Sequence, residues 1–163
     1  VTVDRHQLAD TSTYVFKTSD YGKTWRSLRG DLPQSTFSYA HCVREDPQRP
    51  GLLYLGTENA VYISFDDGYH WHELRSNLPH APVHWLALQD HFNDLVVGTY
   101  GRGFWILDDI TPLQQLSDED LEAEAVLFAP RPTYRFRQRE PTMSQPDDPA
   151  TGKNPTYGVS FHF

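Results

Sequence analysis

Two short loops carry the side chains of this chain that are best suited to bind a ligand. Arg102 stands between two glycines and follows Tyr100 by two positions, and Glu58 is followed directly by Asn59. Glycine lets a backbone approach a partner closely, and a guanidinium can hold a carboxylate through two parallel hydrogen bonds. We predict that Arg102, Tyr100, Glu58 and Asn59 bind a ligand. The alternative is structural: Arg102 bonds to carbonyls of a neighbouring element, and Glu58 is an ordinary surface acid.

Metal binding and catalysis find weaker support in the sequence. His80 and His84 lie in a proline-containing stretch, where histidines are usually surface or packing residues, so we predict no metal site. Hydrolysis of a glycosidic bond needs two carboxyl groups held about 5–5.5 Å or about 6.5–9.5 Å apart. No pair of acids stands out for that role, and we predict no catalytic residue and no cofactor. Arg135, Arg137 and Arg139 alternate on one predicted strand face, either as an anion-binding surface or as a charged edge that resists aggregation.

Two further carboxylates belong to a pattern that occurs twice. Residues 18–25 read T-x-D-x-G-x-T-W and residues 64–71 read S-x-D-x-G-x-x-W, with matched positions 46 residues apart. An aspartate can accept hydrogen bonds from backbone N–H groups of a turn, and glycine adopts the positive φ that other residues resist. We therefore interpret both copies as hairpin turns and not as catalytic acids. The residues assigned to this structural role are Asp20, Gly22, Trp25, Asp66, Gly68 and Trp71.

The segments around these turns predict short β-strands. A repeat of about 40–45 residues is typical of propeller blades. We predict an all-β fold, namely a partial β-propeller of about two and a half four-stranded antiparallel blades. Residues 13–29 are predicted to form the two outer strands of the first blade. The second blade is predicted at 38–43, 52–56, 61–65 and 71–74, and the third at 83–88, 95–99 and 104–107.

The repeat pattern ends near residue 111, which divides the chain into three predicted parts. Residues 1–111 hold the blades, residues 112–130 a short helix and a possible ring-closing strand at 126–128, and residues 131–163 a strand and a linker into a truncated β-domain. Thr111 followed by Pro112 is typical of a helix start, with threonine as the cap. The chain's last six residues, 158–163, are predicted to be a strand cut short.

Composition and charge narrow the range of functions. The formal net charge is −8, whereas a protein that grips nucleic-acid phosphates needs a positive face, so we predict no nucleic-acid partner. Cys42 is the single cysteine; a disulfide within the chain is impossible, and we predict a small buried side chain. There is no run of 18 apolar residues, so no membrane span is predicted. The chain starts at Val1 without an initiator methionine, and we expect both ends to be breaks in a longer protein.

Several phrases of the sequence resemble a known family. They are FKTSDYGKTW (16–25), REDP (44–47), PGLLYLGTE (50–58) and GTYGRGFWILDD (98–109). The repeated turn resembles the Asp-box of the BNR repeat, and residues 4–116 resemble the C-terminal blades of large bacterial BNR-repeat proteins related to the sortilin-type propeller. The resemblance implies further blades in the same polypeptide and a secreted, periplasmic or cell-surface location. The family usually has histidine where this chain has Tyr100.

The propeller geometry predicts which face carries the function. Alternate turns of up-and-down blades lie on opposite faces, so the two Asp-boxes share one face, where His70 and His72 are interpreted as structural. The opposite face, which binds ligands in related propellers, is predicted to hold the loops of Glu58 and Arg102 and the interblade residues Asp31, Gln34, His80 and His84. We predict a non-catalytic module that binds a protein or a carbohydrate. The alternative is part of a sialidase-like or xyloglucanase-like glycoside hydrolase.

Overall fold

Three antiparallel β-sheets follow one another along the chain in the computed structural model, which describes residues 1–133 and 158–163. The first sheet contains β1 (Thr2–Arg5), β2 (Asp10–Lys17) and β3 (Arg26–Ser27). The second contains β4 (Ala40–Glu45), β5 (Leu53–Thr57), β6 (Val61–Ser64) and β7 (His72–Glu73). The third contains β8 (Val83–Gln89), β9 (Asp94–Thr99) and β10 (Phe104–Leu107). The described chain is mostly β, as predicted.

Strand β1 is an addition to the predicted set. Only two strands were expected in the first sheet, because the start of the chain runs into the charged residues Asp4 and Arg5 and lacks a long apolar alternation. The backbone nevertheless pairs, with Thr2 facing Val15 and Val3 facing Tyr14. A short 3₁₀ helix, His6–Leu8, then turns the chain into β2.

The predicted ring-closing strand at residues 126–128 is wrong, because this segment forms no strand. The side chain of Gln115 engages the backbone just beyond it: Nε2 donates to the Ala129 carbonyl and the Ala129 N–H donates to Oε1, both at 2.9 Å. The Phe128 N–H donates to the His162 carbonyl at 3.1 Å, and residues 158–163 form no strand either. Since a strand needs a ladder of backbone bonds, the third sheet keeps three strands.

Two short helices confirm the predicted helical turns after the third sheet. They are α1 (Thr111–Gln115) and α2 (Asp118–Glu122), so Thr111 is the first helical residue and not the cap. A capping box starts α2, in which the Asp120 N–H donates to Ser117 Oγ and the Ser117 N–H donates to the Asp120 carboxylate. None of the helices in the described part of the chain is long and apolar enough to cross a membrane. The predictions for the arginines at 135–139 and the linker at 140–155 fall outside the described residues.

The chain divides into two compact units, Val1–Ile110 and Thr111–Phe163, and all three sheets belong to the first. Within that unit, β4 contacts β1 on one side and β8 on the other. The first two sheets share a buried apolar cluster. Its members are Val15, Leu28, Leu32, Ala40, Leu53, Leu55 and Trp71. Burial of each such large side chain stabilises the fold by about 1.5–3 kcal/mol, so the packing between sheets is a main source of stability.

Cys42 lies in β4 and is buried, as predicted. Its Sγ is 3.7 Å from the Val83 carbonyl oxygen of the next sheet. Burial raises the pKa of the Cys42 thiol to about 11. Because the thiolate is the reactive form, this thiol is a packing residue and not a nucleophile.

Candidate functional site

The first unit brings corresponding ends of its sheets together. At one end, which we call the loop end, lie the loops after β1, β5 and β9. There the ring of His6 stacks on Tyr39, which directly precedes β4 of the next sheet, with ring centroids 4.9 Å apart. At the other end, which we call the Asp-box end, Lys17 Nζ and Arg26 Nη2 of the first sheet each bind the Asp67 carboxylate of the second sheet at 2.6 Å.

Backbone irregularities position the polar side chains of the loop end. The β4–β5 ladder shifts register between Ala40 and Cys42, and the β8–β9 ladder shifts between Val83 and Trp85. His41 and His84 are the residues at these two shifts. The β1–β2 ladder also shifts register, between Val3 and Arg5, and Asp4 is the residue at this shift. Such bulges turn a side chain out of the regular alternation, and they occur often beside functional sites.

Five aromatic rings form a continuous row at the loop end, which we call the ring row. It consists of His6, Tyr39, His41, His84 and Tyr100. Successive centroids lie 4.9, 5.3, 4.2 and 5.7 Å apart. The row starts in the first sheet, crosses the second and ends in the third. Tyr100, at its far end, is 73% exposed.

Two carboxylates flank the middle of the ring row. Glu58 Oε2 is 2.8 Å from His41 Nε2, and Asp4 Oδ2 is 3.6 Å from His41 Nδ1. Asp4 also binds the His6 ring, at 2.6 Å. Burial alone would raise the pKa of Asp4. The net shift is downward, because Asp4 accepts hydrogen bonds from the His6 N–H and the His6 ring and lies near the imidazoles of His6 and His41. Burial raises the pKa of the Tyr39 phenol, and the charge of Glu58 adds to that shift.

The loop-end residues occupy equivalent positions in successive sheets. His41 and His84 each follow the first residue of their strand and are 43 positions apart. Asp4, Glu58 and Tyr100 also correspond to one another. Each lies two positions after a strand residue, and the three strand residues pair with corresponding residues of the following strand. Those pairs are Thr2 with Val15, Gly56 with Val61, and Gly98 with Phe104. A position-by-position alignment of the repeats is therefore the sequence signal that reveals these corresponding residues. The prediction for His80 and His84 treats them as a pair and so misses the correspondence of His84 with His41.

The four residues predicted to bind a ligand lie in two loops of the loop end. Glu58 and Tyr100 join the ring row through His41 and His84. Arg102 is exposed, and its guanidinium makes no hydrogen bond or ion pair with the described residues, while its carbonyl accepts from the Trp105 indole at 3.0 Å. The Asn59 carbonyl lies 3.3 Å from His80 Nδ1.

The links between sheets differ in part from the prediction. Asp31 belongs to the Asp-box end, because its carboxylate accepts the Trp71 N–H at 2.8 Å; its predicted place at the loop end is wrong. Gln34 lines a depression with Thr13 and Ser38. His80 and His84 have different partners: His80 lies against Asn59 and Arg75, whereas His84 stacks on His41.

Both Asp-boxes are clasped by their own carboxylate. Asp20 accepts from the Thr24 N–H at 2.9 Å and from Thr24 Oγ1 at 2.7 Å, and these bonds lower the pKa of Asp20 to about 2. Asp66 accepts from the His70 N–H at 2.9 Å and lies 2.5 Å from His70 Nδ1. Burial alone would raise the pKa of Asp66. The net shift is downward, because the hydrogen bonds from His70 and Ser64 outweigh the effect of burial. Gly22 and Gly68 have φ values of 87° and 85°.

The pKa of His70 is raised by its hydrogen bond to the Asp66 carboxylate. Because the folded pKa is raised, this pair stabilises the fold fully below the unfolded imidazole pKa of about 6.5, and the contribution is lost as pH rises through the folded pKa. We expect the stability of the natural chain, relative to His70→Thr, to increase as pH falls from about 8 to about 6. Urea unfolding at a series of pH values measures it. In NMR titrations Asp66→Asn should lower the pKa of His70, and an unchanged value contradicts the prediction.

Comparison of the chain with family models, with curated proteins and with solved structures found no match in any of the three.

Proposed function

We propose that residues 1–110 are blades of a β-propeller and act as a non-catalytic module that binds a protein or carbohydrate ligand, within a larger secreted, periplasmic or cell-surface protein. The observation that carries the proposal is the ring row. Consecutive sheets supply side chains to one continuous row at the loop end, in which Tyr39 is buried and His6, His84 and Tyr100 are exposed. Aromatic side chains offer a large contact area with little conformational freedom to lose, which suits a binding surface.

The residues around the ring row add complementary chemistry. Arg102 presents an exposed guanidinium on a loop with two positive-φ glycines, Gly101 at 80° and Gly103 at 71°. A Cβ at either glycine would meet no atom within 4 Å apart from its chain neighbours, so the loop has open space around it. Tyr100 next to it offers an exposed ring. An exposed cation beside an aromatic face fits a ligand with a carboxylate and an apolar or sugar-ring surface.

Further blades of the same ring are part of the proposal. Trp25 and Trp71 hold the same place in the two Asp-boxes, yet Trp25 is 50% exposed and Trp71 is 7% exposed. The Trp71 indole donates to the Leu28 carbonyl of the preceding sheet, whereas the Trp25 indole donates to Gly22 in its own turn. We propose that another blade covers Trp25 as the first sheet covers Trp71.

The alternative is a glycoside hydrolase. Asp4 and Glu58, the carboxylates of the ring row, both lie against the His41 imidazole. This pairing favours a structural or binding role for the two acids over a general acid and a nucleophile. Hydrolysis of the ligand is the observation that distinguishes the alternative.

Binding is tested with sialosides and xyloglucan oligosaccharides, by calorimetry and by an assay for released sugar. We expect binding without turnover. Arg102→Ala should weaken binding about 10–100-fold, because a hydrogen bond to a charged group contributes about 1.5–3 kcal/mol. Lys23→Ala is the matched control, since Lys23 is an exposed cation at the Asp-box end. Equal losses in both variants contradict the site, and turnover that Glu58→Gln abolishes supports the hydrolase instead.

A further inference from the structure

We propose that His41, Glu58 and His84 bind a single divalent transition-metal ion, with Zn²⁺ as the expected metal. One ligand atom from each of the three side chains lies within 4.8 Å of the other two. In a tetrahedral zinc site with bonds of about 2.0–2.2 Å, ligand atoms lie about 3.4 Å apart. Two changes produce that spacing: the three atoms, which lie within 4.8 Å of one another, approach it by side-chain rotation, and the 2.8 Å hydrogen bond between His41 Nε2 and Glu58 Oε2 opens and releases its proton.

The chemistry of the three side chains selects the class of metal. Two imidazoles and one carboxylate suit Zn²⁺ and its first-row neighbours, whereas Ca²⁺ and Mg²⁺ prefer sites made of oxygen atoms alone. Three protein ligands leave one coordination position for water or for an atom of a bound molecule. That position is accessible, because His84 is exposed while His41 and Glu58 are partly buried.

Asp4 is the residue placed to serve as a second-shell partner of His41. Metal-bound histidines usually donate their other ring N–H to a carboxylate, which fixes the orientation and tautomer of the ring. In His41 the Nε2 atom faces Glu58, and the Asp4 carboxylate lies at an ion-pair distance of 3.6 Å from Nδ1, which shortens to a hydrogen bond if the His41 ring turns toward it. His41 Nε2 is therefore the ring atom assigned to the metal.

The backbone places the three ligand residues beside one another before metal binds. His41 and His84 lie at equivalent bulges of β4 and β8, and their rings stack with centroids 4.2 Å apart. Because the lone pairs of an imidazole lie in the ring plane, a ring must rotate out of this stack for both histidines to reach one ion. The Glu58 N–H donates to the Tyr39 carbonyl, which ties its loop to the strand that carries His41. A backbone fixed in this way has little conformational freedom left to lose when the side chains bind an ion.

The other ionisable groups that could compete for a metal have different arrangements. Among the described residues, this is the only group of three or more His, Cys, Asp or Glu side chains with metal-ligand spacing. His70 faces Asp66 at the Asp-box end, and His80 lies beside Asn59 and Arg75. We therefore expect one site for each chain.

The test is a titration of the 163-residue chain with Zn²⁺, in competition with a chromophoric chelator. We expect one bound ion, and no displacement of it by millimolar Mg²⁺ or Ca²⁺. His84→Phe keeps a ring in the stack but removes a ligand, and it should weaken binding by at least about 100-fold, more than the about 10–100-fold expected for the second-shell variant Asp4→Asn. His80→Phe is the matched control and should bind as the natural chain does.

Co²⁺ substitution gives a second readout, since its visible absorption should report a tetrahedral site of nitrogen and oxygen ligands. Circular dichroism identifies any variant that fails to fold, and Glu58→Gln then replaces His84→Phe. The absence of a stoichiometric ion, or unchanged affinity in a folded ligand variant, overturns the inference. The inference does not depend on the proposed ligand. Zn²⁺ binding without carbohydrate binding counts against a carbohydrate ligand and leaves the metal site standing, and carbohydrate binding without Zn²⁺ binding refutes only the metal site.

Discussion

Replacement of Trp71 by alanine is expected to lower the free energy of unfolding by about 3–5 kcal/mol, the range for deletion of a buried tryptophan. The Trp71 ring is 7% exposed and belongs to the apolar cluster of the first two sheets. Its indole N–H also donates to the Leu28 carbonyl at 2.9 Å. Truncation therefore opens a cavity between two sheets and leaves a buried carbonyl without its donor, and both effects are destabilising.

Trp25→Ala is the matched control, because Trp25 has the same place in the other Asp-box. Its ring is 50% exposed, so the same substitution should cost less than about 2 kcal/mol. Urea unfolding followed by circular dichroism measures both variants without depending on tryptophan fluorescence. Trp71→Phe separates the two contributions, since it keeps most of the ring and removes the indole donor. Equal losses for Trp71→Ala and Trp25→Ala would show that packing between sheets is not what distinguishes the two boxes.

Local signals account for the part of the fold that the sequence predicts. The strands of the second and third sheets are short apolar runs bounded by turn residues, and their positions agree with prediction to within about two residues. The Asp-boxes follow from contacts between residues at most four positions apart, such as Asp20 with Thr24. A pattern of this kind is visible in one stretch of sequence. The same pattern cannot distinguish Trp25 from Trp71, because the difference comes from a neighbouring sheet.

The polar group at the loop end depends on contacts that no single stretch contains. His41 and Glu58 are 17 positions apart, and His84 follows His41 by 43. Regular alternation gives no sign of the bulges that turn both histidines toward Glu58. Asp31 was placed wrongly for the same reason. The geometry of propeller blades predicted it at the loop end, but its carboxylate accepts the Trp71 N–H at the Asp-box end. Tertiary contacts decided both outcomes.

Gly30 tests the packing between sheets at the level of the backbone. It has a φ of 47°, and a Cβ built on it would lie 2.4 Å from the Tyr69 carbonyl oxygen and 2.9 Å from that of Gly68. Both carbonyls belong to the Asp-box of the next sheet. Ser76 occupies the equivalent position 46 residues later, with a φ of 41°, and it is exposed. The repeat thus accepts a side chain in this conformation where no Asp-box lies against it.

Gly30→Ala is therefore expected to lower the free energy of unfolding by about 2–5 kcal/mol. The left-handed conformation costs a residue with a Cβ about 1–2 kcal/mol, and overpacking against two carbonyls adds about 1–3 kcal/mol. Gly22→Ala isolates the first contribution, because Gly22 has a φ of 87° and its nearest neighbour would be the Trp25 ring at 3.6 Å. Ser76→Ala should change stability by less than about 0.5 kcal/mol. Urea unfolding measures all three variants. If Gly30→Ala and Gly22→Ala lower the free energy of unfolding equally, the two carbonyls move aside for the new methyl group, and the clash predicted from the geometry adds no cost.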